Sequence, residues 1–331
     1  MTGEERSKGR RGWRTGGLVC AIVLATVIYV LLTPWNLPKP PAQTHPVASY
    51  AEAAQRIETL LAQEPQDMNP VCRLIWMTHE KKVERAIVLV HGYTSCPQQF
   101  RDLGQKFFDL GYNVLIAPLP HHGLANRLTD AHSLLIAEEL EAYANETADI
   151  AQGLGEQVTM MGISGGGVTT AWAAQNRGDI DLAVIISPAF GFKVVPTPLT
   201  AAAMNLYLLL PDSIKWWDDV LQEAASPPHA YPRYSNHALV QTLRLGFAVR
   251  KQAGRVKPAA QKIVVVLNAN DDSVNNPLTM NVVKVWQAHG ADLTTYEFDA
   301  SLKLGHDIID PAQPYQRIDI VYPRLIELSN Q

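Results

Sequence analysis

The chain predicts an α/β fold, a mostly parallel sheet with helices on both faces and a helical cap inserted above it. Three observations carry this expectation. From about residue 74 onward, short apolar runs alternate with helical patterns. A Gly-x-Ser-x-Gly stretch over 162–166 stands where one such run gives way to a small-residue helix. The alternation then breaks once, over about 188–258, where helical patterns continue without a convincing strand.

The N-terminus comes first and stands apart. Arg6, Lys8, Arg10, Arg11 and Arg14 precede a stretch with no charged residue from Thr15 to Pro38. At ~1.5 Å rise per residue, about 20 helical residues cross a hydrocarbon core ~30 Å thick, and residues 16–35 supply that length. The pattern predicts a basic cytoplasmic segment over 1–14 and an uncleaved transmembrane anchor over 15–37, with Trp13 and Trp35 as interfacial flanks and the rest of the chain outside the cytoplasm. A cleaved signal peptide is the competing reading, but Pro34, Trp35, Asn36, Leu37 and Pro38 stand where an A-x-A-like site would be needed. Cys20 falls inside the span, so Cys72 and Cys96 remain as an even pair at the ends of neighbouring predicted strands. In an oxidising compartment they are expected to form a disulfide, the alternative being two buried free thiols. The net charge of −4 and the lack of long basic blocks downstream argue against a nucleic-acid partner.

Pro34, Pro38, Pro40, Pro41 and Pro46 read as a stiff tether holding the next domain off the membrane, and the Pro-rich linker itself spans 38–48. The α/β domain then occupies 49–331. Ser49 and Glu52 have capping-box spacing for a helix whose Ile57, Leu60 and Leu61 share a face and which Pro65 ends. Strands are expected near 74–78, 86–90, 113–117, 158–161 and 182–187, with helices near 98–110, 137–154 and 167–176 between them. After the cap come a strand at 262–267, a helix near 278–289, a strand at 293–298 and a last helix near 315–328.

Ser164 is the residue on which the chemistry turns. A serine at a tight strand-to-helix bend needs small neighbours two before and two after it, and Gly162 and Gly166 provide them. Its hydroxyl is a weak nucleophile and needs a base oriented by a carboxylate. His306 follows the 293–298 strand, and Asp271 and Asp272 follow the 262–267 strand; parallel strands deliver all three to one sheet edge.

With these residues in place the chain resembles an α/β-hydrolase, in the capped lipase, monoacylglycerol-lipase and serine-aminopeptidase branch. The resemblance rests on His91-Gly92-Tyr93-Thr94, on 162–166, on Asp271-Asp272-Ser273-Val274 and on Gly305-His306, and it covers about residues 70–330. It implies Ser164 as nucleophile, His306 as base and Asp271 as the acid beginning a D-x-x-V pattern. Asp272 stays open, because the glycine often found three residues before that acid is here Asn268. It also implies an oxyanion hole from the backbone N–H of Tyr93 and of Gly165, with His91 and the His121-His122-Gly123 stretch bracing loops.

The implied activity is a serine hydrolase acting on a small-molecule carboxylic ester or acyl substrate through an acyl-enzyme, with no cofactor. The same residues would serve a peptidase, a thioesterase or an acyltransferase, and a non-catalytic protein holding an apolar ligand is the alternative from another class. Metal is not expected, since H-x-x-x-H spacing with a carboxylate between and C-x-x-C are both missing. His289 reads as a helix-end residue, and His229 and His237 lie in the cap without a legible partner. Met204, Leu206, Tyr207, Leu208, Leu209, Leu210, Trp216 and Trp217 form a dense apolar group in the cap, read as packing or as an acyl-binding wall.

Overall fold

A computed structural model of the chain describes residues 3–35, 37–38 and 44–330, with side chains from residue 18 onward. The strands are β1 (Ile75–Met77), β2 (Val83–Val90), β3 (Asn113–Ile116), β4 (Gly155–Ile163), β5 (Leu182–Ile186), β6 (Ile214–Trp216), β7 (Arg233–Ser235), β8 (Lys262–Asn268) and β9 (Leu293–Phe298). The helices are α1 (Gly3–Leu32), α2 (Tyr50–Gln63), α3 (Arg101–Asp109), α4 (Ala137–Leu154), α5 (Gly165–Asn176), α6 (Thr200–Leu209), α7 (Asn236–Ala253), α8 (Asn276–Ala288) and α9 (Ile318–Ser329). The main sheet runs β1-β3-β2-β4-β5-β8-β9, with only β1 antiparallel to its neighbour.

Both faces of this sheet are buried, and the period of two along each strand shares them out. Ala86, Val88 and Val90 of β2 and Ile263, Val265 and Leu267 of β8 pack with α4, α5 and α8 on one side. Ile87 and Leu89, with Val264 and Val266, pack with α3 and α9 on the other. Burial on two sides is why these strands read as continuous apolar runs. The helices follow local signals as well: the Ser49 hydroxyl accepts from the Glu52 N–H at 3.3 Å at the start of α2, while the Glu52 carboxylate accepts from Ala48 and not from Ser49.

Chain order reverses direction between β2 and β4, which lie side by side although β3 intervenes in sequence. The crevice at such a switch point gathers the loops that follow both strands. Here those loops carry Tyr93 and Ser164.

Two expectations change. The cap is not free of strands, because β6 and β7 pair antiparallel over Ile214 to Ser235 and Trp216 to Arg233; at three residues each they are too short for a period to register. The described residues at the two ends of the Pro-rich segment lie against the body. Leu37 packs against the cap cluster, Pro38 is buried, and on the far side of the undescribed residues, which include Pro40 and Pro41, Val47 is buried with its N–H donating to the Asp149 carbonyl at 3.0 Å. The anchor expected over 15–37 lies partly outside the described residues, as do the side chains of the basic segment and Trp13; among the described residues no helix is long and apolar enough to cross a membrane. Cys72 and Cys96 are joined by a disulfide that ties the loop after β2 to the turn before β1, and Cys20 is free and exposed.

Candidate active site

The site grows from the bend between β4 and α5. Ser164 sits at φ 57° and ψ −117°, a left-handed conformation that a non-glycine residue adopts only when its surroundings enforce it. The enforcement is visible on both sides. A Cβ on Gly162 would lie 2.4 Å from the Gly166 carbonyl oxygen, and one on Gly166 would lie 2.3 Å from the Val90 carbonyl oxygen, so strand, helix and β2 meet only because both residues lack a side chain. The Ser164 N–H donates to the Ile186 carbonyl at 3.0 Å, and its own carbonyl accepts from Val168 and Ala189.

Asp271 and His306 come from the loops after β8 and β9. His306 Nδ1–H donates to Asp271 Oδ2 at 2.8 Å, which leaves Nε2 as the basic nitrogen. Asp271 is fully buried and its other oxygen accepts the N–H groups of Ser273 and Val274, each at 3.0 Å. The D-x-x-V spacing thus has a physical reading: the fourth residue's N–H closes a turn on the first residue's carboxylate. Asp272 is exposed and takes only the Ser273 hydroxyl, so the carboxylate beside His306 is Asp271. Burial alone would lower the His306 pKa; the carboxylates of Asp271, Asp307 and Asp272 together outweigh it and leave the imidazole raised above its ordinary value. Burial would raise Asp271, but His306 and the two backbone donors hold its carboxyl below the usual carboxylate range.

Tyr93 and Gly165 lie against each other across the switch-point crevice, a Cβ built on Gly165 falling 3.4 Å from the Tyr93 nitrogen. The Gly165 N–H opens α5, where the positive end of the helix dipole adds to it. The loop of Tyr93 is braced by histidines that stay neutral. His91 Nδ1–H donates to the Gly92 carbonyl and its Nε2 accepts from the Leu119 N–H; burial pushes its pKa down to about 4. His122 accepts from the Thr94 N–H at 3.2 Å and donates to the Pro120 carbonyl, and burial likewise holds it well below its usual value.

Thr94 carries a role the sequence did not disclose. At φ 71° it is held left-handed. Two cap residues hold it there: Trp217 Nε1–H donates to its hydroxyl at 2.9 Å and the Tyr231 N–H to its carbonyl at 2.8 Å. A third, Ser235, donates its N–H to the Tyr93 hydroxyl at 3.0 Å. The cap is therefore bonded directly to the loop beside Ser164. Its apolar group divides: Met204 packs the cap with Ala201, Val240, Leu243 and Phe247, whereas Leu206, Leu209 and Leu210 are exposed. His229 does have a partner, Asp310 at 2.8 Å, and His237 meets the Leu210 carbonyl. His289 donates to the Val285 carbonyl at the end of α8. No group of three or more metal-ligating side chains occurs among the described residues.

A mostly parallel sheet clad on both faces, with a serine at the bend after β4 and a His–Asp pair in the loops after β8 and β9, defines an α/β-hydrolase. The model of the serine aminopeptidase S33 family matches residues 81–298, and the chain belongs to that family of hydrolases. It is similar to the thermostable monoacylglycerol lipase of Bacillus sp. (strain H-257), 24% identical over 206 residues that cover 60% of this chain and 74% of the other. A metagenome-derived lipolytic enzyme from the LipS and LipT study shares its fold at a TM-score of 0.60 and 19% identity, covering 80% of this chain and 99% of that one. A soluble variant of monoglyceride lipase from Saccharomyces cerevisiae does so at 0.58 and 14%, covering 80% and 96%.

Proposed function

We propose that the protein is a serine hydrolase that cleaves carboxylic esters, with Ser164 as nucleophile, His306 as general base and acid, Asp271 as its orienting carboxylate and the Tyr93 and Gly165 N–H groups as the oxyanion hole. The observation that carries the reading is the His306 Nδ1 bond to a buried Asp271, which leaves Nε2 to accept a proton at the sheet edge where Ser164 is displayed. In the first half-reaction the Ser164 oxygen attacks the ester carbonyl while its proton passes to His306 Nε2. The oxyanion formed is met by the two backbone donors; on collapse the C–O bond to the alcohol breaks and His306 returns the proton to the leaving oxygen. Water, deprotonated by His306, then attacks the acyl-enzyme, and the acid departs as Ser164 is reprotonated.

The monoacylglycerol lipase among the relatives supports an ester, and the exposed leucines of α6 supply apolar surface on the cap. The family description favours a second reading, an aminopeptidase on the same residues. A series of p-nitrophenyl esters of rising acyl length, run beside an aminoacyl p-nitroanilide, decides between them. Esters are expected to turn over and the anilide not to; preference for the anilide would replace the ester reading with the peptidase one.

The membrane anchor belongs to the same proposal. Its support is the uncharged stretch over 15–38 and the exposure of Leu18, Ile22, Leu24 and Tyr29 along α1. With the basic segment inside, the hydrolase domain would lie on the extracytoplasmic side, where the Cys72–Cys96 disulfide is at home.

A further inference from the structure

Asn268 stands where the family often has glycine, and its side chain is neither at the surface nor idle. It is the last residue of β8, fully buried, and every polar atom of its amide is engaged. Its Nδ2 donates to the Leu304 carbonyl at 3.1 Å and to the Gly305 carbonyl at 2.7 Å, the two residues directly before His306. Its Oδ1 accepts from the Asn270 N–H at 3.0 Å, one residue before Asp271. One amide therefore joins the loop of the acid to the loop of the base.

Packing holds Leu304, buried in the core, but leaves the residue next to His306 unconfined. A Cβ added at Gly305 would meet nothing within 4 Å, and Lys303 just upstream turns left-handed at φ 52°. The backbone entering His306 is open on the side where a neighbour would otherwise confine it. On the far side of His306 a second buried amide repeats the arrangement. Gln99 Nε2 donates to Asp307 Oδ2 at 2.9 Å, while Gln99 Oε1 accepts the Gly92 N–H at 2.8 Å, next to Tyr93. Asp307 Oδ1 in turn accepts the N–H groups of Ile309 and Asp310, so the anchored carboxylate fixes the loop beyond it.

We infer that Asn268 and Gln99 are positioning residues that clamp the His306 loop from both sides, Asn268 setting it in register with Asp271 and Gln99 with the oxyanion loop. The inference rests on the ester-hydrolase reading above. A displacement of about 1 Å in a catalytic group can cost ~100-fold in rate. Loss of a clamp loosens the His306–Asp271 bond, so the imidazole pKa falls back toward its ordinary value. The carboxylates facing His306 are Asp271, Asp307 and Asp272, and neither substitution below removes any of them.

The test uses the full chain and a soluble p-nitrophenyl ester, with active sites counted by fluorophosphonate labelling. Asn268→Ala and Gln99→Leu are each expected to lower kcat per labelled site by roughly 10- to 100-fold with KM within about twofold. Each is also expected to move the acid limb of the pH profile to lower pH. Because both hold one loop, the double variant is expected to lose less than the product of the single losses. Unchanged kcat per labelled site with an unmoved acid limb in both variants overturns the proposal, since a merely structural role would reduce only the number of active sites. If Asn268→Ala does not accumulate folded, Gln99→Leu carries the same two expectations. Ser164→Ala, run alongside, separates the failures: a fully active Ser164→Ala overturns the underlying reading, whereas an inactive Ser164→Ala beside unimpaired clamp variants overturns this inference alone.

Discussion

His306 accepts a proton only when its imidazole is neutral, and Asp271 raises the pH at which that state prevails. The free enzyme's kcat/KM is therefore expected to climb along an acid limb whose midpoint lies above the ordinary histidine value of ~6.5, and a pH–rate profile reads it directly. Asp271→Asn removes the raising charge and leaves an amide that can hold the wrong tautomer; by analogy with other triads it should cost roughly ten-thousandfold in kcat. A loss under tenfold would mean that Asp271 does not orient the base. At this scale the sequence was legible where chemistry imposes spacing. Gly162, Ser164 and Gly166 are readable because a bend admits only small neighbours, and Asp271 because Val274 closes its turn. Trp217 to Thr94 was not readable, since a bond spanning 123 positions leaves no local pattern. Gln99 was hidden for the same reason, its partner Asp307 lying 208 positions away.

Among the elements, strands buried on both faces announced themselves: 86–90 and 263–267 are unbroken apolar runs because these stretches of β2 and β8 are buried on both sides. β6 and β7 did not, because three residues carry no period and their pairing is set by the cap around them. Two connections between elements carry stability. The Cys72–Cys96 bond closes a loop with a sequence separation of 24 next to Tyr93, so replacing both cysteines by serine is expected to destabilise the protein by ~3 kcal/mol in a chemical melt. An unshifted midpoint would show that the loop is held by its other contacts. The Arg177 side chain, 1% exposed at the end of α5, meets Asp149 of α4 at 2.7 Å and Asp179 at 2.6 Å. Arg177→Leu strands a buried Asp149 carboxylate and is expected to cost about 3–5 kcal/mol, well above a surface pair. A change below about 1 kcal/mol in the same melt would contradict that.

At the scale of the whole molecule, the hydrolase domain and the N-terminal helix are bonded as well as joined. Asn205 of α6, fully buried, donates from Nδ2 to the carbonyls of Val30, Leu31 and Thr33 at 2.9–3.1 Å, capping the end of α1 on the cap itself. Sequence could suggest an apolar N-terminal helix from its lack of charge, but not that its end would dock here. The full chain is expected to stay with membranes after an alkaline wash, and a chain lacking residues 1–35 to appear in the soluble fraction with its ester hydrolysis retained; a full chain released by the wash would remove the anchor from the account. The most direct test of the account as a whole is where a fluorophosphonate attaches to the folded protein. Mass spectrometry is expected to find one phosphonyl adduct, on Ser164, absent from Ser164→Ala and slowed in His306→Ala. An adduct on another residue, or none on the active protein, would contradict it.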